Sequence, residues 1–94
     1  MNLKFNIPEY GVTQINKALK EVIEDNFSYV RVKGEISEIR EATKGQIYIT
    51  LKDETSILSA VVWEQKKRSL TFEPEIGMEV ILTGRITTWS KTSF

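Results

Sequence analysis

The residue types that most enzyme chemistry requires are missing from this chain. Its 94 residues include no histidine and no cysteine, so the commonest general base and the thiol nucleophile are absent. The acidic pair Asp53-Glu54 lies in a predicted hairpin turn, where acidic side chains stabilise the backbone. The five glycines have neither phosphate-loop nor dinucleotide-binding spacing. We therefore expect no catalytic residue, no metal site and no cofactor at these positions.

Aromatic and basic side chains are better candidates, because they can stack on bases and contact phosphates. In GQIYITLKDETSILSAVVWE, residues 45–64, alternation leaves Tyr48 and Trp63 off the face that holds the other large apolar side chains. Base stacking on such rings is worth about 1–3 kcal/mol per base. Further basic residues share this outward parity or lie in flanking turns, and they are candidate phosphate contacts: Arg31, Lys33, Lys52, Arg85, Lys44 and Lys91.

Each aromatic or basic cluster also has a purely structural interpretation. Trp63 could be covered by the N-terminal helix, or the outward aromatics could face another domain. Trp89 could line a binding groove or pack against a further strand. The basic run Lys66-Lys67-Arg68 could touch phosphate, although a short charged run is usually solvated surface. The sequence leaves these alternatives open.

Charge and composition limit the kind of binding that we expect. The chain carries 13 basic and 13 acidic residues, whereas a strongly electrostatic nucleic-acid binder usually has a clear basic excess. Apolar residues make up 40%, enough for the core of one domain. No apolar run approaches the ~18 residues that span a bilayer, and the N-terminus lacks a signal-peptide core. We expect a cytoplasmic protein that does not contact membranes.

The hydrophobic pattern predicts one helix followed by strands. Apolar residues at helical spacing place the helix over about 12–26, with Thr13 as its N-cap. Alternating apolar residues predict strands over about 29–39, 46–52, 56–64 and 78–89. Gly34 and Gly84 interrupt two of these strands, and we expect a bulge or sharp bend at such positions.

This element order favours an all-β domain with an N-terminal helix, of the OB-fold class. An OB-fold is a small antiparallel Greek-key barrel with five strands. Only four strands are predicted here, so we expect residues 1–94 to be a single OB-fold domain truncated before or within strand five, with the rest of a longer subunit absent. An unpaired edge of this kind favours dimerisation or strand exchange.

Several motifs in their order resemble the N-terminal OB-fold domain of the exodeoxyribonuclease VII large subunit. They are YGVTQIN, VKGEIS, GQIYITLKDE, Trp63 after SAVV, and GMEVILTGRIT followed by Trp89. The resemblance implies a bacterial-type cytoplasmic nuclease that degrades single-stranded DNA, and a small helical partner subunit that attaches outside this domain. It implies that this domain binds the DNA and that the catalytic region lies elsewhere. Tyr48 and Lys52 match the YxxLK positions of strand two, and Trp63 matches the strand-three aromatic.

Two functions are compatible with these observations. The first is a single-stranded DNA-binding module of a nuclease, with no activity of its own, which delivers DNA to a catalytic region outside this chain. The second is a protein-interaction or self-assembly module, which would use the same outer face or the open strand edge to dock or form a homodimer. Salt dependence separates them, because phosphate contacts weaken steeply with added salt.

Overall fold

A computed structural model describes residues 6–88 of the chain. Helix α1 spans Val12–Asn26, and strands β1 to β4 span Val30–Glu41, Ile47–Lys52, Ile57–Val62 and Glu79–Gly84. A short 3-10 helix, Glu64–Ser69, connects β3 toward β4. Residues 31–82 form one compact unit, and α1 with the segment after β4 belongs to a second. Trp89 and Lys91 lie outside the described residues.

The N-cap of helix α1 is Gly11 rather than the predicted Thr13. The extended backbone of Gly11 places its carbonyl oxygen where it accepts the first helical bond, from the Ile15 N–H at 3.0 Å. The Gln14 side chain reaches back, and its Oε1 accepts from the Gly11 N–H at 2.7 Å. Thr13 therefore lies inside the first turn, where its hydroxyl is not needed as a cap.

The end of α1 is tied to the segment that follows β4. The Phe27 N–H donates to the Ile23 carbonyl at 2.8 Å, and the Ile86 N–H donates to the Phe27 carbonyl at 2.9 Å. The Thr87 hydroxyl also donates to the Glu24 carboxylate. These bonds hold residues 86–87 beside the helix terminus and satisfy backbone groups that a helix end leaves without partners.

The four strands form one antiparallel sheet in the order β3-β2-β1-β4, consistent with an OB-fold. Its core contains five buried side chains: Ile36, Ile47, Ile49, Leu51 and Val80. Strand β2 supplies three of them because its alternate residues point to one side, as their sequence spacing predicts. The β2–β3 register places Leu58, Ala60 and Val62 on this same side.

The bulge in strand β1 lies at Ser37 and not at Gly34, where a bulge or a sharp bend was predicted. The pairing with β2 shifts between Ile36 and Glu38, which leaves Ser37 as the extra residue of a β-bulge. Its hydroxyl donates to the Thr50 carbonyl at 3.2 Å. Gly34 instead allows a close approach of strands, since a Cβ there would lie 3.2 Å from the Leu51 Cβ.

Strand β4 ends at Gly84, well before the predicted position 89. Residues 85–88 have no regular structure, because the Ile86 backbone bonds to Phe27 instead of to a strand. Gly84 therefore marks the end of a strand rather than a bend inside one. Within residues 6–88, no helix has the length and apolar character required to cross a bilayer.

Candidate nucleic-acid interface

The outer face of strands β1 to β3 is defined by their register. The side chains of paired residues on neighbouring antiparallel strands point to the same side of the sheet. The register therefore shows which residues lie side by side on the face away from the core. Three rows lie on this outer face: Arg40–Tyr48–Val61, Glu38–Thr50–Ser59 and Glu35–Lys52–Ile57. Tyr48 and Lys52 therefore lie on the predicted face, at opposite ends of β2.

Tyr48 is half-buried and lies beneath an arginine. The guanidinium carbon of Arg40 is 4.3 Å from the centroid of the Tyr48 ring, within the range of a cation–π contact. The Gln46 side-chain amide donates to the Tyr48 hydroxyl at 3.3 Å. A cation–π contact at an exposed site is worth about 0.5–1 kcal/mol. The ring and the guanidinium therefore hold each other in a defined orientation.

A tight turn places Lys44 at the start of this face. The Gly45 N–H donates to the Ala42 carbonyl at 2.9 Å, and the Ala42 N–H donates to the Gln46 carbonyl at 2.8 Å. Gly45 has a φ of 93°, a conformation that favours glycine. A Cβ at this position would lie 2.8 Å from the Glu64 Cγ, so the turn lies directly against the chain beyond β3.

Trp63 follows the last residue of β3 and immediately precedes the 3-10 helix. Its backbone is extended, and it lies two residues after Val61, the partner of Tyr48. The side chain is 45% exposed, a large fraction for a tryptophan. Arg40 and Tyr48 lie on the outer face at one end of β2, and Lys44 and Trp63 lie in the segments adjoining that end; we call these four residues the Tyr48 end.

The other end of the outer face, the Lys52 end, contains paired charges. The Lys52 ammonium lies 3.9 Å from the Glu35 carboxylate, and the Lys33 ammonium lies 3.4 Å from Glu79. All four side chains are exposed, so each pair contributes only about 0–1 kcal/mol to stability. Arg31, which precedes Lys33 and Glu35 on β1, is exposed and forms no ion pair within residues 6–88.

The turn after Lys52 has a structural role. The Asp53 carboxylate accepts hydrogen bonds from the Thr55 and Ser56 N–H groups at 3.0 and 2.9 Å. These bonds lower the pKa of Asp53, with the Thr55 bond as the largest cause. The acidic pair Asp53-Glu54 thus supports the turn backbone, as its position between two strands indicates.

The basic run after β3 is partly engaged in structure. The Lys67 ammonium donates to the Glu41 carboxylate at 2.8 Å, and this hydrogen bond lowers the pKa of Glu41. The contact fastens the 3-10 helix to the end of β1. Lys66 and Arg68 remain exposed on either side of it. For Lys67, the structural interpretation of the run is therefore the better supported one.

Comparison with known proteins identifies the family of the chain. Residues 10–94 match the family described as OB-fold nucleic acid binding domain. The chain belongs to this family. The match confirms the predicted fold class.

Curated relatives of this OB-fold domain are named exodeoxyribonuclease 7 large subunit. The protein from Rhodospirillum centenum is 48% identical over 84 residues, which cover 89% of this chain and 16% of that relative. The protein from Bartonella quintana is 46% identical over 100 residues, covering 99% of this chain and 21% of the relative. That from Zymomonas mobilis is 44% identical over 88 residues, covering 94% and 16%. These matches confirm the predicted resemblance, and the chain spans about a fifth or less of these relatives.

The OB-fold domain thus brings only some of the predicted residues together. Tyr48 lies at one end of the outer face, with Lys44 and Trp63 in the adjoining segments, whereas Lys33 and Lys52 lie at the other end beside carboxylates. Arg85 follows β4 and belongs to the second compact unit, so it is not part of the sheet unit that forms this face. Lys91 is outside the described residues.

Arg40 is the residue that sequence analysis missed. Strict alternation from the buried Ile36 would turn Arg40 toward the core, but the bulge at Ser37 reverses the parity of everything after it. One signal was present in the sequence. Ile39 is out of phase with Ile36, and its packing against the core requires such a reversal.

Proposed function

We propose that this OB-fold domain binds single-stranded DNA through the Tyr48 end of its outer face. The observation that carries the proposal is Tyr48 on that face, with the Arg40 guanidinium over its ring and Trp63 directly after the neighbouring strand β3. In OB-folds, the face of strands two and three is where oligonucleotides bind. Aromatic rings stack on bases of any type, and nearby cations meet the backbone, which suits a binder with little sequence preference.

We further propose that this domain serves a longer nuclease subunit. The relatives that carry the exodeoxyribonuclease name are several times longer than this chain, so their remaining residues provide room for a catalytic region. In that arrangement the domain would hold single-stranded DNA and deliver it to that region. The other partner would be a small subunit that attaches outside the OB-fold domain, and the assembly would act in the cytoplasm.

A tryptophan-fluorescence titration with a short oligothymidylate tests DNA binding. We expect saturable quenching that weakens between about 50 and 200 mM salt, by about sevenfold if two phosphates are contacted. Fluorescence anisotropy of a labelled oligothymidylate gives the affinity independently of the tryptophans. The chain has two tryptophans, so Trp63→Phe locates the quenching. In that variant we expect the quenching to disappear while the anisotropy change remains, because phenylalanine still stacks.

Two outcomes would contradict the proposal. No anisotropy change at about 50 mM salt would show that the domain does not bind single-stranded DNA, because low salt favours phosphate contacts. Unchanged affinity in both Tyr48→Ala and Trp63→Ala, with the fold intact by circular dichroism, would place the binding site elsewhere.

A second candidate function is assembly through the edge of the sheet. Strand β3 is an edge strand of the described sheet, and its first residues are apolar and exposed: Ile57 is 74% and Leu58 40% exposed. Exposed apolar edge strands pair readily with another chain. Light scattering at high protein concentration tests this function. A homodimer that Ile57→Lys converts to monomer would support it, and a monomer at all concentrations would contradict self-assembly.

A further inference from the structure

Arg40 reaches the outer face because of a local irregularity in β1. The bulge at Ser37 is held by the hydroxyl bond to the Thr50 carbonyl, and after it the register pairs Arg40 with Tyr48. Bulges commonly redirect a side chain in this manner near binding sites. Without the bulge, an arginine at this position would point toward the core, where its charge would be costly to bury.

The charge of Arg40 is available to a ligand. Within residues 6–88, three ion pairs occur, and each joins a lysine to a glutamate: Lys33–Glu79, Lys52–Glu35 and Lys67–Glu41. Arg40 forms none of them and contacts the Tyr48 ring instead. A phosphate that approaches Arg40 therefore has no carboxylate to displace, whereas a phosphate that approaches Lys33 or Lys52 does.

The position of the Arg40 guanidinium over the Tyr48 ring also suits nucleic acid. A guanidinium that lies on a ring keeps its N–H donors at its edge, where they can meet phosphate oxygens. The outer side of its plane can receive a base, as arginine planes do in complexes with single strands. The Tyr48 ring beneath Arg40 is itself held by Gln46. Arg40 therefore loses less side-chain freedom when it binds a ligand than a mobile lysine would.

We propose that Arg40, which lies over the Tyr48 ring, is the principal cation through which the outer face contacts a single-stranded nucleic acid. The paired lysines of the Lys52 end contribute little. This inference rests on the proposed function of the face and names the residue that carries its charge. It also predicts that the arginine must be a planar cation and not merely a positive charge.

Three variants separate these roles in the anisotropy titration with oligothymidylate. Arg40→Gln removes the charge, and we expect affinity to fall about tenfold and the salt slope to fall by about 0.7. Arg40→Lys keeps the charge but not the plane, so we expect a loss of about threefold with an unchanged salt slope. Lys33→Gln removes the same charge from the same strand, and we expect less than about a twofold change.

The outcomes distinguish failure of this inference from failure of the proposed function. If the unmodified chain does not bind at low salt, the proposed function itself is wrong. If it binds and Arg40→Gln matches or exceeds its affinity, Arg40 merely covers the ring, and the inference is overturned. Equal losses in Arg40→Gln and Lys33→Gln would likewise overturn it, because they would indicate a diffuse charge effect. Arg40 is exposed, and thermal melting of each variant verifies that the fold is retained.

Discussion

At the Lys52 end of the outer face, lysines lie beside glutamates, whereas at the Tyr48 end the arginine lies on an aromatic ring. The Lys52 and Lys33 ammonium groups are 3.9 and 3.4 Å from carboxylates, while the Arg40 guanidinium is 4.3 Å from the Tyr48 centroid. Both ends belong to one sheet, and they lie at opposite ends of β2. The neutral net charge of the chain therefore hides an uneven distribution of usable charge.

This difference indicates how a balanced protein can still bind a polyanion. An ammonium that already has a carboxylate partner gains little from a phosphate, because one contact replaces another. A guanidinium on a ring keeps its donors for the ligand and loses little freedom when it binds. Arg31 is also unpaired within residues 6–88, so ion pairing together with support from an aromatic ring, more than the total charge, should determine which end of the face contacts DNA.

The largest expected effect comes from removal of the ring at the Tyr48 end. Tyr48→Leu preserves apolar contact with the neighbouring strands but removes the stacking surface and the support of Arg40. We expect a loss of about 2 kcal/mol in oligothymidylate binding, or about thirtyfold in Kd. Lys52→Gln on the same strand is the matched control, with a change below about twofold. Similar losses in the two variants would remove the distinction between the ends.

A glycine at the Tyr48 end tests how far that end depends on its turn. Gly45→Ala forces a side chain into a backbone with φ of 93° and places its Cβ 2.8 Å from the Glu64 side chain. We expect a loss of about 1–2 kcal/mol in the free energy of unfolding, measured in urea. Gly84→Ala, where a Cβ meets no atom within 4 Å, should change it by less than about 0.5 kcal/mol. Equal stabilities of the two variants would show that the turn is not constrained.

The Lys52 end should become a better binding surface when its carboxylate is removed. Glu35→Gln releases Lys52, and we expect oligothymidylate affinity to rise about twofold, within the range of an exposed ion pair. Glu54→Gln removes one negative charge from the adjacent turn and serves as the control. If both variants gain equally, the increase reflects net charge alone, and the pairing argument fails.

The smallest effect concerns acid stability at the two ends. Both the Asp53 and the Glu41 carboxyl have a lowered pKa in the folded protein, from turn N–H bonds and from Lys67 respectively. The stability that each carboxylate contributes to the folded state is fully present above the ordinary pKa of the group. It is lost as the pH falls through the lowered pKa. The difference in Tm between the native chain and Glu41→Gln should therefore begin to decrease below pH 4.5. For Asp53→Asn it should narrow only below 3.8. Gaps that do not change with pH would contradict these assignments.

Much of the sheet could be predicted from the sequence because its signals are local. Alternation placed Ile47, Ile49 and Leu51 on the core side and Tyr48 opposite them, and the register agrees. The bulge was placed wrongly, because a glycine in a strand indicates either a bulge or a close approach of backbones. Gly34 serves the second purpose against Leu51, and only the pairing of two distant segments separates the two.

The candidate site was predictable in its aromatic part and not in its cations. The position of Tyr48 follows from parity within a single strand, but the choice among basic residues depends on which of them meet carboxylates. Lys33 pairs with Glu79, a residue 46 positions later in the chain. No local pattern identifies such a partner, so lysines and arginines of equal parity appear equivalent in the sequence.

By itself the sequence determined the helix, the alternating strands, the turn at Asp53 and the absence of histidine and cysteine chemistry. Periodicity and turn propensity act between near neighbours, and they are legible without any knowledge of the fold. Only the tertiary structure decided that Ser37 bulges, that Arg40 therefore lies over the Tyr48 ring, and that Lys33 and Lys52 are paired. These outcomes depend on strand register, which sets the face of every later side chain and is fixed only when distant segments pack together.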